Sequence, residues 1–502
     1  TPTGKVNPED RLVLKAQAVT QGESNLLDLR WSSVDFANLR AAVSGTLDSA
    51  NLVVKGDQLE PGNAYRFKVL ACAGPCEAVN PFIYSHHDEV TILVNEPPDS
   101  SGAGGSFVTN DGLLATGSSV TPMSGVSLVD EFTMVAGWDW QDEDLPLSYA
   151  YAAQIVGGTR ASLLMAASPS MSAKSLLSAG LDEHDNQVVI ICIVTDSLGA
   201  SSEAQANVTV LPPAQVDQTL VDNTLAEAQD LKNADTLLQR MDAISNLLNR
   251  RGNRRRIQSE ESAQMTLRST VIEKVPLAQN WLLPSQVTLS RILRTVGMAT
   301  VAPDELNSET VGEVLGLLDS LLDNSEYTSL GSETAYDCFT VADHVFDTLR
   351  LHASDVQFNH ADHISSLTQF ISEAAQAAGT RLVAGEAAVR FRGSDSFDVT
   401  IKKFDELDLD PKLTIELADA ENVTFVPSAA QAVTARATAW SFNPHYYTQP
   451  DNGASVLVTP VVRLELQGDA DESPIAMFPM QVSFPSAHLD ADPQHPQKFL
   501  SL

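Results

Sequence analysis

The stretch from Trp138 to Tyr149, W-D-W-Q-D-E-D-L-P-L-S-Y, does most to decide how this sequence is interpreted. It follows an N-E-P-P segment at Asn95 to Pro98 and a Gly/Ser-rich turn at Ser101 to Ser106. Consecutive prolines fix their own dihedral angles and push the preceding residues into extended conformations. The N-E-P-P segment is therefore predicted to be a linker between two domains.

Short segments of alternating apolar and polar residues precede this linker. Such segments without long helices between them indicate an antiparallel β-sandwich, in which Trp31 would fill the core. The predicted strands are Leu12 to Ala16, Leu27 to Trp31, Asn51 to Val54, Tyr65 to Leu70 and Val90 to Val94.

A second sandwich is predicted from Ser106 to Leu211, closed by Pro212 and Pro213. Residues Val194 to Ala200 would form a hairpin between its last two strands. Its predicted strands are Phe132 to Ala136, Tyr149 to Tyr151, Gln187 to Thr195 and Ala206 to Leu211.

From Gln215 the apolar period changes from two to about 3.6, which indicates helices. The expected helical features are an apolar face from Leu237 to Leu248, a capping box at Thr310 to Glu313, and helices over Thr340 to Leu351 and Asp362 to Ala378, the last ended by Gly379. Strand patterns return at Ala388 to Phe391, Phe397 to Ile401, Lys412 to Leu417, Val433 to Trp440, Ser455 to Val458 and Val461 to Leu466.

The predicted fold class is mainly β with a helical subdomain. The four predicted units are sandwiches at 1–95 and 96–213, a helical subdomain at 214–380 and a terminal β-sandwich subdomain at 381–502.

Two sets of motifs carry a family resemblance. The segment Leu59 to Tyr65, L-E-P-G-N-A-Y, resembles the fibronectin type III tyrosine corner, in which the phenol bonds back to the backbone. Together with N-E-P-P and W-D-W-Q-D-E-D-L-P-L-S-Y, it resembles the receptor-for-egg-jelly (REJ) module of polycystin-1-type proteins. The motif residues are Trp31, Leu59, Pro61, Gly62, Tyr65, Asn95, Pro97, Pro98, Trp138, Trp140, Asp144, Pro146 and Tyr149.

The C-terminal half is similar to the autoproteolysis-inducing (GAIN) domain of the same proteins and of adhesion receptors. This likeness rests on W-S-F-N-P-H, which contains Trp440, Asn443 and Pro444, and on Ser473 to Pro485. His488-Leu489-Asp490 offers no hydroxyl or thiol for an acyl shift, so self-cleavage within this chain is not expected.

Composition argues against some classes of partner. The 65 acidic residues outnumber the 31 basic ones, and a net charge of -34 repels nucleic acid and anionic membrane surfaces. The longest apolar run, Val188 to Val194, is shorter than the roughly 18 to 20 residues that cross a bilayer. Thr1 to Pro8 does not read as a secretory signal, which fits a mature or internal segment as well as a cytosolic protein.

Four cysteines are too few to build a disulfide scaffold of this size. Cys72 and Cys76, in C-A-G-P-C, are close enough in sequence to form a disulfide if the loop lies outside the cell. Cys192 is interpreted as a core residue, and Cys338 as a free thiol. The two N-x-T sequons, at Asn207 and Asn422, are glycosylation candidates expected on surface turns.

Three polar clusters have competing interpretations. Asp139, Asp142, Glu143 and Asp144 could offer oxygens to calcium, although a solvated loop explains them as well, and no metal site is assigned. His352, His360 and His363 lack the spacing of a zinc enzyme and fit polar residues near a helix start. The basic run Arg250 to Arg256 fits a processing site, an acidic-partner contact or an exposed loop.

No nucleotide-binding loop or hydrolase elbow occurs in the sequence. We therefore expect a non-catalytic extracellular segment of a polycystin-1-like membrane protein, without cofactors. The resemblance implies contact with surface, matrix or channel proteins at the cell or ciliary surface, with membrane attachment through parts outside this chain. The alternative is a structural component of an extracellular filament or coat.

Overall fold

A computed structural model describes the larger part of the chain. The residues described are 4–17, 27–36, 38–73, 85–100, 119–137, 140–158, 160–250, 258–322, 327–353, 355, 358–384, 386–392, 397–404, 413–417, 420–427, 433–440, 461–468 and 480–483. Within them the fold is mixed and strand-rich, with eight α-helices and several sheets.

The first unit is a pair of small antiparallel sheets around a single core. Trp31, Leu52, Tyr65 and Phe67 are buried there, because the inward positions of the alternating segments are the apolar ones. One sheet has the order β1-β3 and the other β2-β4-β5. The elements are β1 (Leu12–Lys15), β2 (Leu27–Ser33), α1 (Leu39–Ala42), β3 (Asn51–Val54), β4 (Ala64–Ala73) and β5 (Ser85–Leu93).

The second unit contains a five-stranded sheet and a three-stranded sheet with their own core, in which Tyr151 and Phe132 are fully buried. The sheets have the orders β12-β11-β14-β15-β8 and β13-β9-β7, and β10 pairs with β6. The strands are β6 (Asp99–Ser100), β7 (Ser119–Thr121), β8 (Ser124–Val126), β9 (Glu131–Val135), β10 (Trp140–Gln141), β11 (Ser148–Ile155), β12 (Ala161–Ser168), β13 (Ser172–Leu176), β14 (Gln187–Thr195) and β15 (Ser201–Leu211).

Helices follow from residue 218, and polar side chains cap several of them. Asp217, Asn233 and Ser285 each accept a hydrogen bond from a backbone N–H of the first turn. The helices are α2 (Gln218–Asp230), α3 (Ala234–Asn249), α4 (Gln258–Trp281), α5 (Gln286–Thr300), α6 (Ser308–Leu322), α7 (Ser332–Leu351) and α8 (His360–Gly379).

Of two helix-end predictions, one is corrected and one is confirmed. The predicted capping box at Thr310 is wrong, because α6 begins at Ser308 and Asn307 Oδ1 accepts from the Thr310 N–H at 2.8 Å. The prediction that Gly379 ends the last helix is confirmed, since Gly379 is the final residue of α8. A Cβ at Gly379 would lie 3.1 Å from Thr434 Cγ2, so the glycine permits close packing of α8 on the following sheet.

The last described strands form two antiparallel sheets, β16-β17-β20-β21 and β18-β19-β22. The first shares one continuous core with the helices, and Trp440 lies 5.2 Å from the rings of both Phe346 and Phe397. These strands are β16 (Val389–Arg392), β17 (Phe397–Phe404), β18 (Leu413–Leu417), β19 (Ala420–Pro427), β20 (Val433–Trp440), β21 (Val461–Gly468) and β22 (Met480–Ser483).

Both glycosylation sequons lie in strands, which corrects their expected placement on turns. Asn207 is an exposed residue of β15, and Asn422 belongs to β19. The predicted strand at Ser455 to Val458 and the segment His488 to Asp490 lie outside the described residues. Among the helices that are described, none has the length and apolarity that a membrane span requires.

Candidate functional site: the two joints of the second sandwich

The tyrosine-corner segment places its side chains in the first core. The Tyr65 hydroxyl accepts a hydrogen bond from the Glu60 N–H at 2.9 Å, and Leu59 is buried in the same core. Gly62 has a φ of +73°, a conformation that L side chains rarely adopt. The segment therefore fixes the approach to β4, whose neighbour β5 leads into the linker.

The linker and the N-terminal segment meet the second sandwich in a polar contact that we call the outer joint. It consists of Lys5, Asn7, Asn95, Asp142, Glu143, Asp144 and Asp196. Asn95 is fully buried and donates through Nδ2 to Asp196 Oδ2 at 2.6 Å and to Asn7 Oδ1 at 3.2 Å. Lys5 Nζ lies 2.7 Å from Asp144 Oδ2 and is also paired with Glu143. The hydrogen bonds that Lys5 donates to Asp144 and Glu143 raise the pKa of Lys5 above its usual range.

Asp196 organises the hairpin turn between β14 and β15. Its Oδ1 accepts from the backbone N–H groups of Leu198, Gly199 and Ala200 at 2.8, 2.6 and 3.0 Å. The Ser197 N–H donates to the Asp144 carbonyl at 2.9 Å, so the hairpin is held against the acidic turn after Trp140. Oxygens of Asp142, Asp144 and Asp196 all lie within 4.8 Å of one another.

A second polar contact, the inner joint, attaches β12 and β13 to the helices and consists of Arg160, Ser162, Gln239, Asp242 and Asp337. Asp242 is buried and accepts from the Ser162 hydroxyl at 2.8 Å and from the Thr295 hydroxyl at 2.6 Å. Gln239 accepts from Ser175 at 2.7 Å and donates to the Leu164 carbonyl, while Arg160 pairs with Asp337. Desolvation raises the pKa of Asp242.

The inner joint is continuous with the helical core. Leu128 and Ala179 come from the second sandwich, yet they pack in the apolar cluster of the helices. Arg250, the first residue of the basic run, donates to the Asp182 carboxylate at 2.5 Å and to the Gly180 carbonyl. This arginine therefore joins the end of α3 to the second sandwich, while residues 251–256 lie outside the described part.

A cavity of about 1110 Å³ lies where the N-terminal segment, the second sandwich, the helices and the β16–β17 region meet. Three arginines of its lining form ion pairs. Arg11 Nη1 lies 2.7 Å from both carboxylate oxygens of Glu386, Arg294 pairs with Glu333 and Asp337, and Arg291 pairs with Asp235. These pairs tie the surrounding units together, which is a structural role.

The cysteines fall into two environments. Cys72 in β4 is disulfide-bonded, while Cys76 lies outside the described residues and its pairing with Cys72 stays a prediction. Cys192 and Cys338 are free and buried. Burial raises the pKa of the Cys192 thiol to about 12 and also raises that of Cys338, so both thiols remain protonated in the core.

The histidine group lies at a helix start, as the sequence indicates, because α8 begins at His360 and His363 belongs to its first turn. His360 and His363 are each only 9% exposed, and the rings of His352 and His360 stack on Phe358 at 4.8 and 5.3 Å. Their role is to pack the start of α8.

Some of the remaining motif residues are buried in the cores, and others lie outside the described residues. Trp31, Trp140, Tyr149 and Trp440 are buried, Pro98 is buried beside a half-buried Pro97, and Pro146 follows a cis peptide bond. Trp138, Asp139, Asn443 and Pro444 lie in segments that the structure does not describe.

Sequence reasoning missed Lys5, Asp196 and Asp242. Their partners lie 139, 101 and 80 residues away, so no local spacing signals them. The V-T-D-S-L-G turn could have drawn attention to Asp196, because Asp commonly accepts backbone N–H bonds in turns.

The protein consists of β-sandwiches and helices, and the polar contacts of the two joints hold these units together. Residues 2–248 match the family described as the REJ domain. The chain therefore carries the REJ module of polycystin-1-like proteins, which is extracellular in polycystins. The match extends past Pro213 to residue 248 and so includes α2, most of α3 and the inner-joint residues Gln239 and Asp242.

The similarity of this chain to solved structures is weak. A SusE-like surface-located polysaccharide-binding protein from Bacteroides thetaiotaomicron is 14% identical, with 41% of this chain and 32% of that chain covered at a TM-score of 0.21. The FN1–FN3 domains of chicken CNTN1 are 12% identical over 41% of this chain and 64% of that chain, with a TM-score of 0.19. This chain thus spans less than two thirds of either protein, and scores this low carry no argument. No curated protein matches the sequence.

Proposed function

We propose that this chain is a non-catalytic extracellular segment of a polycystin-1-like membrane protein, and that it acts by contact. In this function its sandwiches and loops bind neighbouring surface or matrix proteins on the cell or ciliary surface. Its interlocked units then pass force or ligand occupancy toward a channel-like membrane part. Membrane attachment would come from parts outside this chain.

The observation that carries the proposal is the REJ match over residues 2–248. The inner joint supports the force-coupling element, because buried hydrogen bonds and ion pairs connect the second sandwich to the helices rather than a free linker. A domain held in this way moves with its neighbour, whereas domains joined by small interfaces move independently by default.

The C-terminal half is proposed to serve as a GAIN-like unit. Helices packed on a β-sheet through one continuous core are compatible with that assignment. In this chain the unit would act as a rigid mount for the REJ module, without self-cleavage.

Placement outside the cell is tested on the full-length protein in intact cells. We expect a membrane-impermeant biotin reagent to label the REJ region without permeabilisation. We also expect Asn207→Gln to remove one glycan-dependent mass shift, because Asn207 is exposed on β15. Thr209→Ser preserves the sequon and should keep the shift, which makes it the matched control. Labelling that requires permeabilisation would contradict the proposal.

Force coupling is tested by stretching the purified chain between its termini in magnetic tweezers. We expect the second sandwich and the helices to yield together in the native chain. Asp242→Ala should separate that event into two, whereas Glu203→Gln, an exposed change on β15, should not. Independent yielding of the two units in the native chain would refute force coupling.

A further inference from the structure

The outer joint brings Asp196 next to two carboxylates, Asp142 and Asp144, from a distant part of the sequence. Asp142 and Asp144 follow β10, Asp196 follows β14, and one oxygen from each lies within 4.8 Å of the others. Asp196 is buried, and Asp142 and Asp144 are partly buried. Three converging carboxylates repel one another in such an environment unless a cation offsets their charge.

Asn95 supplies an independent indication of a ligand. Its side chain is fully buried, and Oδ1 has no hydrogen-bond partner although Nδ2 donates to Asp196 Oδ2 at 2.6 Å and to Asn7 Oδ1 at 3.2 Å. Covalent geometry keeps the amide oxygen about 2.2 Å from its own nitrogen, so this oxygen lies within about 5 Å of the Asp196 carboxylate. A buried acceptor left unpaired costs free energy, which a bound cation would recover.

One ammonium group already approaches the cluster but does not balance it. Lys5 Nζ contacts Asp144 and Glu143, which leaves Asp142 and Asp196 without a contact to it among the ion pairs of the described residues. The side chain of Lys5 is 20% exposed, so water can solvate its ammonium group when an ion takes its place at Asp144.

We infer that the outer joint binds one calcium ion, with Asp142, Asp144, Asp196 and the amide oxygen of Asn95 as its protein ligands. Lys5 competes with the ion for Asp144. The ion would connect the linker, the acidic turn and the β14–β15 hairpin at the point where the two sandwiches meet.

The ligand chemistry selects calcium. All four ligand groups offer oxygen, without the imidazole or thiolate that zinc prefers. Calcium takes six to eight oxygens in flexible geometry and completes its shell with water, whereas magnesium demands near-ideal octahedral geometry. With waters supplying the remaining ligands, a dissociation constant on the order of 10⁻⁴ to 10⁻³ M is expected, as in extracellular modules.

The test is calcium titration of the purified full chain by isothermal calorimetry. A parallel readout is terbium luminescence excited through Trp140, which lies two residues before Asp142. The native chain should bind one ion. Asp142→Asn and Asp144→Asn should each weaken binding at least about tenfold, because each removes one anionic ligand. Lys5→Met should tighten binding several-fold, since it removes the competing cation.

Glu203→Gln is the matched control, since it removes an exposed carboxylate of the same sandwich that is not one of the proposed ligands, and it should leave binding unchanged. A variant at Asp196 would also disturb the hairpin that this residue holds. Asp142 is half-buried and does not hold the hairpin, so Asp142→Asn tests the inference even if Asp196→Asn fails to fold. No calcium binding up to about 10 mM would overturn the inference. Equal binding by the native chain and by Asp142→Asn, or weaker binding after Lys5→Met, would overturn it as well.

Discussion

The inner and outer joints hold the same sandwich against different neighbours, and they do so in different surroundings. In the inner joint Asp242 and Asp337 are almost completely enclosed. In the outer joint the paired side chains of Lys5 and Glu143 are 20% and 76% exposed. Water therefore competes for the Lys5–Glu143 pair and hardly reaches the carboxylates of Asp242 and Asp337, so bonds to these groups have different consequences when broken.

The inner joint is thus expected to behave as part of a folded core, and the outer joint as an adjustable contact. Leu128 and Ala179 extend the helical core into the second sandwich, which adds apolar burial to the inner joint. The outer joint depends on charge, which salt, pH and ions modulate. Loss of a buried polar partner should therefore cost more stability than loss of an exposed one.

Replacing Asp242 with Ala should destabilise the inner joint by about 2–4 kcal/mol, since the Thr295 and Ser162 hydroxyls lose their buried acceptor. Hydrogen exchange during urea unfolding measures this change at β12 and α3. Asp242→Asn retains an acceptor and should cost less. If both variants exchange like the native chain, the inner joint is not part of the core.

The raised pKa of Asp242 gives the inner joint a pH dependence of defined sign. A carboxyl group whose folded pKa is raised binds its proton more tightly in the folded state. The resulting stabilisation is complete below its ordinary pKa of 3.8 and is lost as pH rises through the raised value. Protection of β12 should therefore increase as pH falls from neutrality, after correction for intrinsic exchange. Asp242→Asn should remove this increase, and an identical pH profile in that variant would contradict the assignment.

The ion pair between Arg11 and Glu386 is intermediate in solvent exposure between Asp242 and the Lys5–Glu143 pair, with side-chain exposures of 35% and 7%. A double-mutant cycle with Arg11→Ala and Glu386→Gln should give a coupling free energy of about 1 kcal/mol. The measurement is the urea midpoint of the first sandwich, followed by Trp31 fluorescence. A coupling near zero would place this contact with ordinary surface pairs.

The smallest effect is expected at Lys174 and Glu131, which pair across β13 and β9 with exposures of 64% and 56%. Lys174→Ala should change stability by less than about 0.5 kcal/mol. Thermal unfolding checks this expectation. If Lys174→Ala loses as much stability as Asp242→Ala, solvent exposure does not explain the difference between the joints.

Regular periodicity made much of the fold predictable from the sequence. The strand predicted over Gln187 to Thr195 has the bounds of β14, and Asn51 to Val54 has those of β3. In both segments apolar β-branched residues fit a buried strand. By contrast, β12, A-S-L-L-M-A-A-S, was not predicted, because its small residues show no clear alternation and its position depends on packing against α3.

Local signals failed where distant contacts decide the role of a residue. The end of α8 at Gly379 was predicted, whereas the close approach of this glycine to Thr434 was not. Thr310 and Glu313 matched a capping box, but Asn307 lies at the position where its side chain reaches the first turn. The acidic turn after Trp140 was visible in the sequence, while its approach to Asp196 depends on the closed sandwich.

The common core of the helices and the β16–β17–β20 sheet determines how this chain can be divided. A fragment that stopped after α8 would expose Phe339 and Phe346, whose rings face Phe391 and Trp440. Such a fragment should aggregate when it is expressed alone. Recombinant pieces, and any gene rearrangement that transplants this half of the chain, must therefore keep α7, α8 and the strands through Trp440 together.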